Sequence, residues 1–343
     1  MPISRRGFLR ATTTAMPTAF PRSDHCDGTH FFNPAGRLQA RGFAQLPRWW
    51  YQRLVQGQGE RWPRTVPAPR KPILPDAVPA GRVAVTFIGH ATFLLQLAGL
   101  NILTDPVFAS RAGPFGLLGP KRARPPALRL GELPRIDVVV LSHNHYDHLD
   151  ITALRWLARQ HRPRIVTTLG NKAWLESRGV HRVSEFDWWQ TGDATPELGV
   201  VCTPAQHFAA RTPWDARRTL WGGFLLRTTA GQILFAGDSG WAPHFAEINV
   251  RLGAPELALI PIGAYEPRWF MEAVHMNPDE AVRAHRALGA RQSIGMHFGT
   301  FQLTDEGLDA PLHGLAAARA AQGVSAGEFT TLDFGETRLL TLR

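Results

Sequence analysis

The sequence predicts an α/β fold with sheets inside and helices outside. Three observations carry this. Strand-like and helix-like stretches alternate from Arg82 onward, no obvious break interrupts them after residue 81, and 44% hydrophobic content over 343 residues is ample for a packed core. Length alone would fit one large or two ordinary domains, and the unbroken alternation favours a single domain over residues 81–343. No run of about 18 or more apolar residues occurs, so no membrane-spanning helix is expected.

Residues 1–27 and 28–80 stand apart from that domain. Ser4-Arg5-Arg6-Gly7-Phe8-Leu9-Arg10 looks like a twin-arginine export signal. The stretch behind it, Ala11 to Phe20, is weakly apolar, contains Pro17 and lacks a small-x-small cleavage site, so a basic disordered tail is the other reading. An export signal would place the protein in the periplasm or at a membrane periphery; a tail would leave it cytoplasmic. Residues 28–80 are rich in arginine, tryptophan and proline, which predicts an extended arm and no folding unit of its own. Trp49, Trp50 and Tyr51 are expected to pin this arm to the main domain, with a lipid interface as the alternative.

Within the domain, Val83–Ile88, Thr92–Leu97 and Asn101–Thr104 read as an antiparallel meander with glycines 89 and 99 at its turns. His90, in the first turn, reads as a structural histidine, with an approach to a metal site left open. The Gly113–Gly119 loop carries Phe115, Leu117 and Leu118, and its glycines match no phosphate-cradling spacing. A substrate lid, a lipid contact or simple packing would each suit it. Helices are predicted at Ile151–Gln160 behind an Asp150 cap, at Asn171–Arg178, and at Pro278–Leu288 behind Asn277. Strands are predicted at Ile165–Leu169, Gly199–Thr203, Gly223–Thr228, Gln232–Ala236, Leu257–Ile262, Ser293–Met296 and Glu336–Leu342.

Two cysteines, Cys26 and Cys202, are too few for a disulfide framework or a thiolate zinc site. The formal charge of +10 is spread along the chain, which points to a negative partner; no nucleic-acid module accompanies it, and no nucleic acid is expected.

The chemistry concentrates after Asp137-Val138-Val139-Val140, a run with the β-branched content of a buried strand. It ends in Leu141-Ser142-His143-Asn144-His145-Tyr146-Asp147-His148-Leu149-Asp150. Imidazoles and carboxylates at this density suit Zn²⁺, or Fe²⁺ or Mn²⁺ in a mixed nitrogen and oxygen site. His207, Asp238 and His297 each follow a predicted strand, and strand ends hold side chains rigidly. Seven donors suit two divalent ions, one held by His143, His145 and His207, the other by Asp147, His148 and His297. Asp238 would bridge both, because a carboxylate has two oxygens to share. Gly237-Asp238-Ser239-Gly240 does not fit the Gly-x-Ser-x-Gly elbow of a serine hydrolase.

With that pattern assembled, the sequence resembles the metallo-β-lactamase superfamily. The resemblance implies an αββα sandwich with a binuclear site at one edge of its two sheets. It is closer still to the family of N-acylphosphatidylethanolamine-hydrolysing phospholipases D. Matching segments include Gly170-Asn171-Lys172, Asp187-Trp188-Trp189, Pro204-Ala205-Gln206-His207, Leu220-Trp221-Gly222, Gly263-Ala264-Tyr265-Glu266-Pro267-Arg268-Trp269-Phe270-Met271 and His297-Phe298-Gly299-Thr300-Phe301. This implies a metal-dependent, phospholipase D-type phosphodiesterase with two ions, Zn²⁺ by preference. Its substrate would be a phospholipid at a membrane surface, cleaved to phosphatidic acid and an N-acylethanolamine. Asp147, Asp238 and His275 are the catalytic candidates, His275 as a proton donor or as support for the ligands. Tyr265, Arg268 and Trp269 are candidate substrate contacts. Lactones, cyclic phosphodiesters or RNA remain alternative substrates on the same site, and a non-catalytic lipid- or metal-binding protein is a further alternative. A homodimer stays open.

Overall fold

The computed structural model describes residues 19–34, 43–63 and 65–342; the export-signal segment lies outside them. In chain order the elements are α1 (Leu46–Leu54), β1 (Arg82–Gly89), β2 (Thr92–Leu97), β3 (Leu100–Thr104), β4 (Val138–Leu141), α2 (Ile151–Gln160), β5 (Arg164–Thr168), α3 (Lys172–Glu176) and β6 (Val183–Phe186). Then come β7 (Thr191–Thr195), β8 (Leu198–Thr203), β9 (Gly223–Thr228), β10 (Gly231–Phe235), α4 (His244–Leu252), β11 (Leu257–Pro261), α5 (Arg268–Met271), α6 (Pro278–Leu288), β12 (Gln292–Met296), α7 (Ala310–Gln322), β13 (Phe329–Thr330) and β14 (Thr337–Thr341).

Alternation along the strands builds the layers. In β4, Val138 and Val140 face the core between the sheets, while Val139 and Leu141 face α2 and α3. Two seven-stranded sheets result, ordered β14-β1-β2-β3-β4-β5-β6 and β13-β12-β11-β10-β9-β8-β7. Leu154, Leu157 and Leu175 cover the outer face of the first sheet, and Val282, Leu288 and Leu315 from α6 and α7 pack on the second. The architecture is αββα. Both helix starts argued from sequence are capped: Asp150 accepts from the Thr152 and Ala153 N–H groups, and Asn277 forms a reciprocal capping box with Glu280. Both cysteines are free and buried.

Antiparallel pairing in β1–β3 and β7–β10 gives way to parallel pairing in β3–β6 and β10–β13. The parallel strands therefore end together on one edge, where open α/β sheets bind ligands.

The arm, expected to be extended, carries one short helix. Leu46–Leu54 is helical because Pro47 falls in the first turn, where no intrahelical N–H is needed. Trp49 is buried and donates its indole N–H to Asp305 at 2.7 Å, whereas Trp50 and Tyr51 are exposed. The three aromatics therefore do not act as one anchor. Elsewhere the arm hydrogen-bonds the domain, with Phe31 N–H on Arg217 O and Trp62 Nε1 on Glu306 O. Among the described residues no helix is long and apolar enough to cross a membrane.

Candidate metal centre and substrate cleft

Every donor picked from the sequence stands just past a strand on the shared edge: the His143–His148 group after β4, His207 after β8, Asp238 after β10 and His297 after β12. Gly237 makes this approach possible for Asp238. At φ +63 it takes a left-handed turn, and a Cβ there would lie 2.7 Å from Gly222 O and 2.8 Å from Ser142 Cβ. His297 (φ 64) and His90 (φ 59) also occupy left-handed backbone, which costs a non-glycine residue about 1 kcal/mol or more. Their loops are clamped by the His297 N–H on His90 O at 2.9 Å.

The donors form two groups. In one, His143 Nε2 lies 2.8 Å from His145 Nδ1, which lies 3.3 Å from His207 Nε2. In the other, Asp238 Oδ2 is 3.0 Å from both His148 Nε2 and His297 Nε2, and Asp147 Oδ2 is 3.5 and 3.3 Å from the same two nitrogens. Donors bound tetrahedrally to one Zn²⁺ stand about 3.3 Å apart, so both groups have spacings suited to an ion. Asp238 Oδ2 is also 3.9 Å from His207 Nε2, which puts this carboxylate between them. Asp238 Oδ1 and His148 Nε2 are buried with no hydrogen-bond partner among the described residues, an arrangement that a bound cation would satisfy.

Electrostatics separates the groups as well. Burial, then the neighbouring imidazoles, holds His143 well below the usual histidine range, His145 at about 3 and His207 at about 4, so all three rings are neutral at pH 7 and able to bind a cation. In the carboxylate group burial opposes the charge on His148 and His297, but Asp238 and Asp147 overcome it. They raise His148 well above its usual value and His297 to about 9. Two anionic oxygens thus draw positive charge into this group.

Two residues that orient these histidines, Asp105 and Ser142, were not singled out as site residues from the sequence. Asp105, after β3, accepts from His148 Nδ1 at 2.6 Å, from Ser142 Oγ at 2.5 Å and from Ser142 N–H at 2.8 Å. Ser142 Oγ, its proton given to Asp105, accepts from His143 Nδ1 at 2.9 Å. One buried carboxylate therefore aims the Nε2 atoms of a histidine in each group. His207 is aimed likewise by its Nδ1–H on Val274 O at 2.9 Å. His90, read as a structural turn histidine with an approach to a metal site left open, does approach the donors: its Nε2 meets Asp147 Oδ2 at 3.0 Å. Asp105 follows a strand as the chosen residues do, and that signal applied evenly would have found it.

A cleft of about 390 Å³ opens beside these groups, with His145, Asp147, His207, Asp238 and His275 on its floor. Phe32, Leu46, Phe208, Trp221, Phe270 and Leu303 make an apolar wall. His275 Nδ1 lies 3.9 Å from Asp238 Oδ2 and has no hydrogen-bond partner among the described residues; burial keeps the ring neutral. Tyr265, Arg268 and Trp269, the expected substrate contacts, do not line the cleft; Phe270, Met271 and Val274 do. The single turn of α5 turns Arg268 away to Glu280, whose oxygens it meets at 3.0 and 2.8 Å, while Trp269 lies under the Arg48 guanidinium. Ser239 is fully buried, its hydroxyl donated to Gly240 O, and does not line the cleft.

Residues 100–298 match the Beta-lactamase superfamily domain. The chain belongs to the metallo-β-lactamase superfamily. It is 39% identical over 264 residues to the Caenorhabditis elegans protein named N-acyl-phosphatidylethanolamine-hydrolyzing phospholipase D 1, covering 73% of this chain and 74% of that one. A mitochondrial Saccharomyces cerevisiae protein with the same enzyme name is 36% identical over 227 residues, 64% of this chain and 48% of its own length. In structure the chain is similar to Igni18, a metallo hydrolase from Ignicoccus hospitalis, with a TM-score of 0.57 and 20% identity over 76% of this chain and all of that one. Superfamily membership and the clustered donors make this a metal-dependent hydrolase.

Proposed function

We propose that this metallo-hydrolase cleaves N-acylphosphatidylethanolamine to phosphatidic acid and an N-acylethanolamine, using two divalent ions, Zn²⁺ by preference. The observation that carries it is an apolar cleft ending on a floor of histidines and carboxylates. Such a shape takes acyl chains along its wall and a phosphodiester at its end. The names of the Caenorhabditis and Saccharomyces relatives support the same substrate.

His143, His145 and His207 would hold one ion, Asp147, His148 and His297 the other, and Asp238 would belong to both. Bound there, the ions would supply an ionised water at neutral pH and offset negative charge on the phosphoryl oxygens. Asp105 and Ser142 hold a proton on the far ring atoms of His148 and His143, so that their Nε2 atoms would be the ones to face the ions. His275, neutral and lining the cleft, would take up a proton from the attacking water and pass it to the departing alkoxide. Among the described residues Arg217 is the cation that lines the cleft, and it would meet the phosphate.

The test is hydrolysis in ¹⁸O-labelled water, with the lipid products weighed by mass spectrometry. Attack at phosphorus puts the label in phosphatidic acid and leaves the N-acylethanolamine unlabelled. Turnover of a lactone, a cyclic phosphodiester or RNA with none of this lipid would replace the substrate assignment. Vesicle binding without hydrolysis of any of them would make the protein a non-catalytic binder.

A further inference from the structure

The Gly113–Gly119 loop has a rigid base and an apolar tip. A Cβ on Gly113 would lie 2.2 Å from Leu118 O, and one on Gly119 2.2 Å from Ala112 O, so only glycines let the two strands of the neck close. The Ala112 N–H on Pro120 O and Arg111 Nη1 on Gly119 O fasten it. Buried Arg122 braces the base from below, donating to Val107 O and Ala109 O. Yet the tip leaves Phe115 89%, Leu117 72% and Leu118 61% exposed, with Phe115 itself in left-handed backbone. Water gives no reason to hold three large apolar side chains outward on so fixed a neck.

Two further projections share its surroundings. Trp214, 84% exposed, tips a turn closed by the Asp215 carboxylate on the Arg211 and Thr212 N–H groups. Helix α1 presents Trp50, Tyr51 and Leu54 to solvent. Each connects to the cleft lining: Ala112 at the loop base belongs to the small cluster on which Leu303 packs, Ala216 and Arg217 follow Trp214, and Leu46 begins α1. Lys121, Arg217, Arg218 and Arg48 are exposed among them, on a chain of net charge +10.

We infer that these projections seat the protein on an anionic phospholipid bilayer with the cleft mouth toward the lipid, the Gly113–Gly119 loop being the principal anchor. The orientation of the cleft rests on the lipid-hydrolase function proposed above; the anchor does not. Aromatic and aliphatic tips enter the interface while the surrounding cations meet lipid phosphates. A second copy of the chain would instead bring like charges together and cover the cleft.

The experiment is sedimentation with phosphatidylcholine vesicles, with and without phosphatidylglycerol, of the wild type, the Phe115→Ser/Leu117→Ser/Leu118→Ser variant, Lys121→Gln and Ile73→Ser. The triple variant lowers the partition coefficient on the order of a hundredfold, as three apolar side chains leave the interface. Lys121→Gln costs about fivefold, and only on anionic vesicles. Ile73→Ser, an exposed apolar residue preceding the segment at the opposite, β2–β3 end of the domain, changes nothing. The triple variant keeps the wild-type rate on short-chain substrate dispersed as monomers and loses rate on vesicles, which shows that it is folded. Unchanged sedimentation of the triple variant overturns the inference, as does a wild-type dimer that the three serines dissociate. If the wild type hydrolyses neither form of the lipid, the functional proposal fails, and vesicle sedimentation still decides this one.

Discussion

Asp105→Asn changes one buried atom from acceptor to donor, and the geometry says what must follow. In the native chain Asp105 Oδ2 receives two hydrogen bonds, from His148 Nδ1 at 2.6 Å and Ser142 Oγ at 2.5 Å, and Oδ1 receives the Ser142 N–H at 2.8 Å. An amide NH₂ placed at Oδ2 confronts two donors. Turning the amide over moves the conflict to the Ser142 N–H. His148 can escape only by shifting its proton to Nε2, the atom that faces Asp238 and Asp147. Losing an orienting partner of a metal-bound histidine costs about 10–100-fold in affinity, or about 1.4–2.7 kcal/mol. The Ser142 hydroxyl carries the same disturbance to His143, so with the two ions proposed above both should weaken by that factor. Folding stability of the metal-free protein should fall by about 2 kcal/mol, since hydrogen bonds to a buried charge are lost. Competition titration against a chromophoric chelator, with denaturant unfolding alongside, measures both quantities. Ser142→Ala, which leaves the Asp105–His148 bond alone, should weaken only the three-imidazole group. Two ions bound to Asp105→Asn at wild-type affinity would refute the reasoning.

Three other outcomes are expected. Asp238→Asn should weaken both ions and nearly abolish turnover; metal analysis showing two ions together with normal activity would remove its shared role. His275→Ala should lower kcat by about 10²–10⁴ with metal content unchanged; loss of metal from that variant would instead make His275 a ligand. For His25, burial opposes the charged ring, but hydrogen bonds to Asp187 (2.8 Å) and Asp24 (2.6 Å) outweigh it and raise its pKa above the ordinary 6.5. The folded chain then holds the proton more tightly than the unfolded one. Docking of residues 19–34 should be firmest below pH 6.5 and loosen as pH rises through the folded value. Hydrogen exchange at the Phe31 amide, bonded to Arg217 O, reads this, and His25→Gln should flatten the pH dependence.

The sequence by itself determined what is written in local order. Val138–Val140 followed by three histidines and a carboxylate, and Asp238 and His297 each behind a short apolar run, identify donors because strand ends fix side chains whatever the surrounding fold. Capped helices α2 and α6 were legible for the same reason, since caps and periodicity act within a few residues. Strand β7 and helices α4 and α7 were not, because Thr191–Thr195 is nearly devoid of apolar residues, α4 starts at Pro243 without a side-chain cap, and α7 is alanine-rich and weakly patterned. Only tertiary structure decided that Asp105, His90 and the donors meet, since their strands belong to two sheets stacked face to face across one apolar core. It likewise decided that Phe270 and Met271 face the cleft in place of Arg268 and Trp269, and that Phe32 and Leu46 from the arm complete its wall. Which side of a single helical turn is buried depends on what packs against it, and that partner lies far away along the chain.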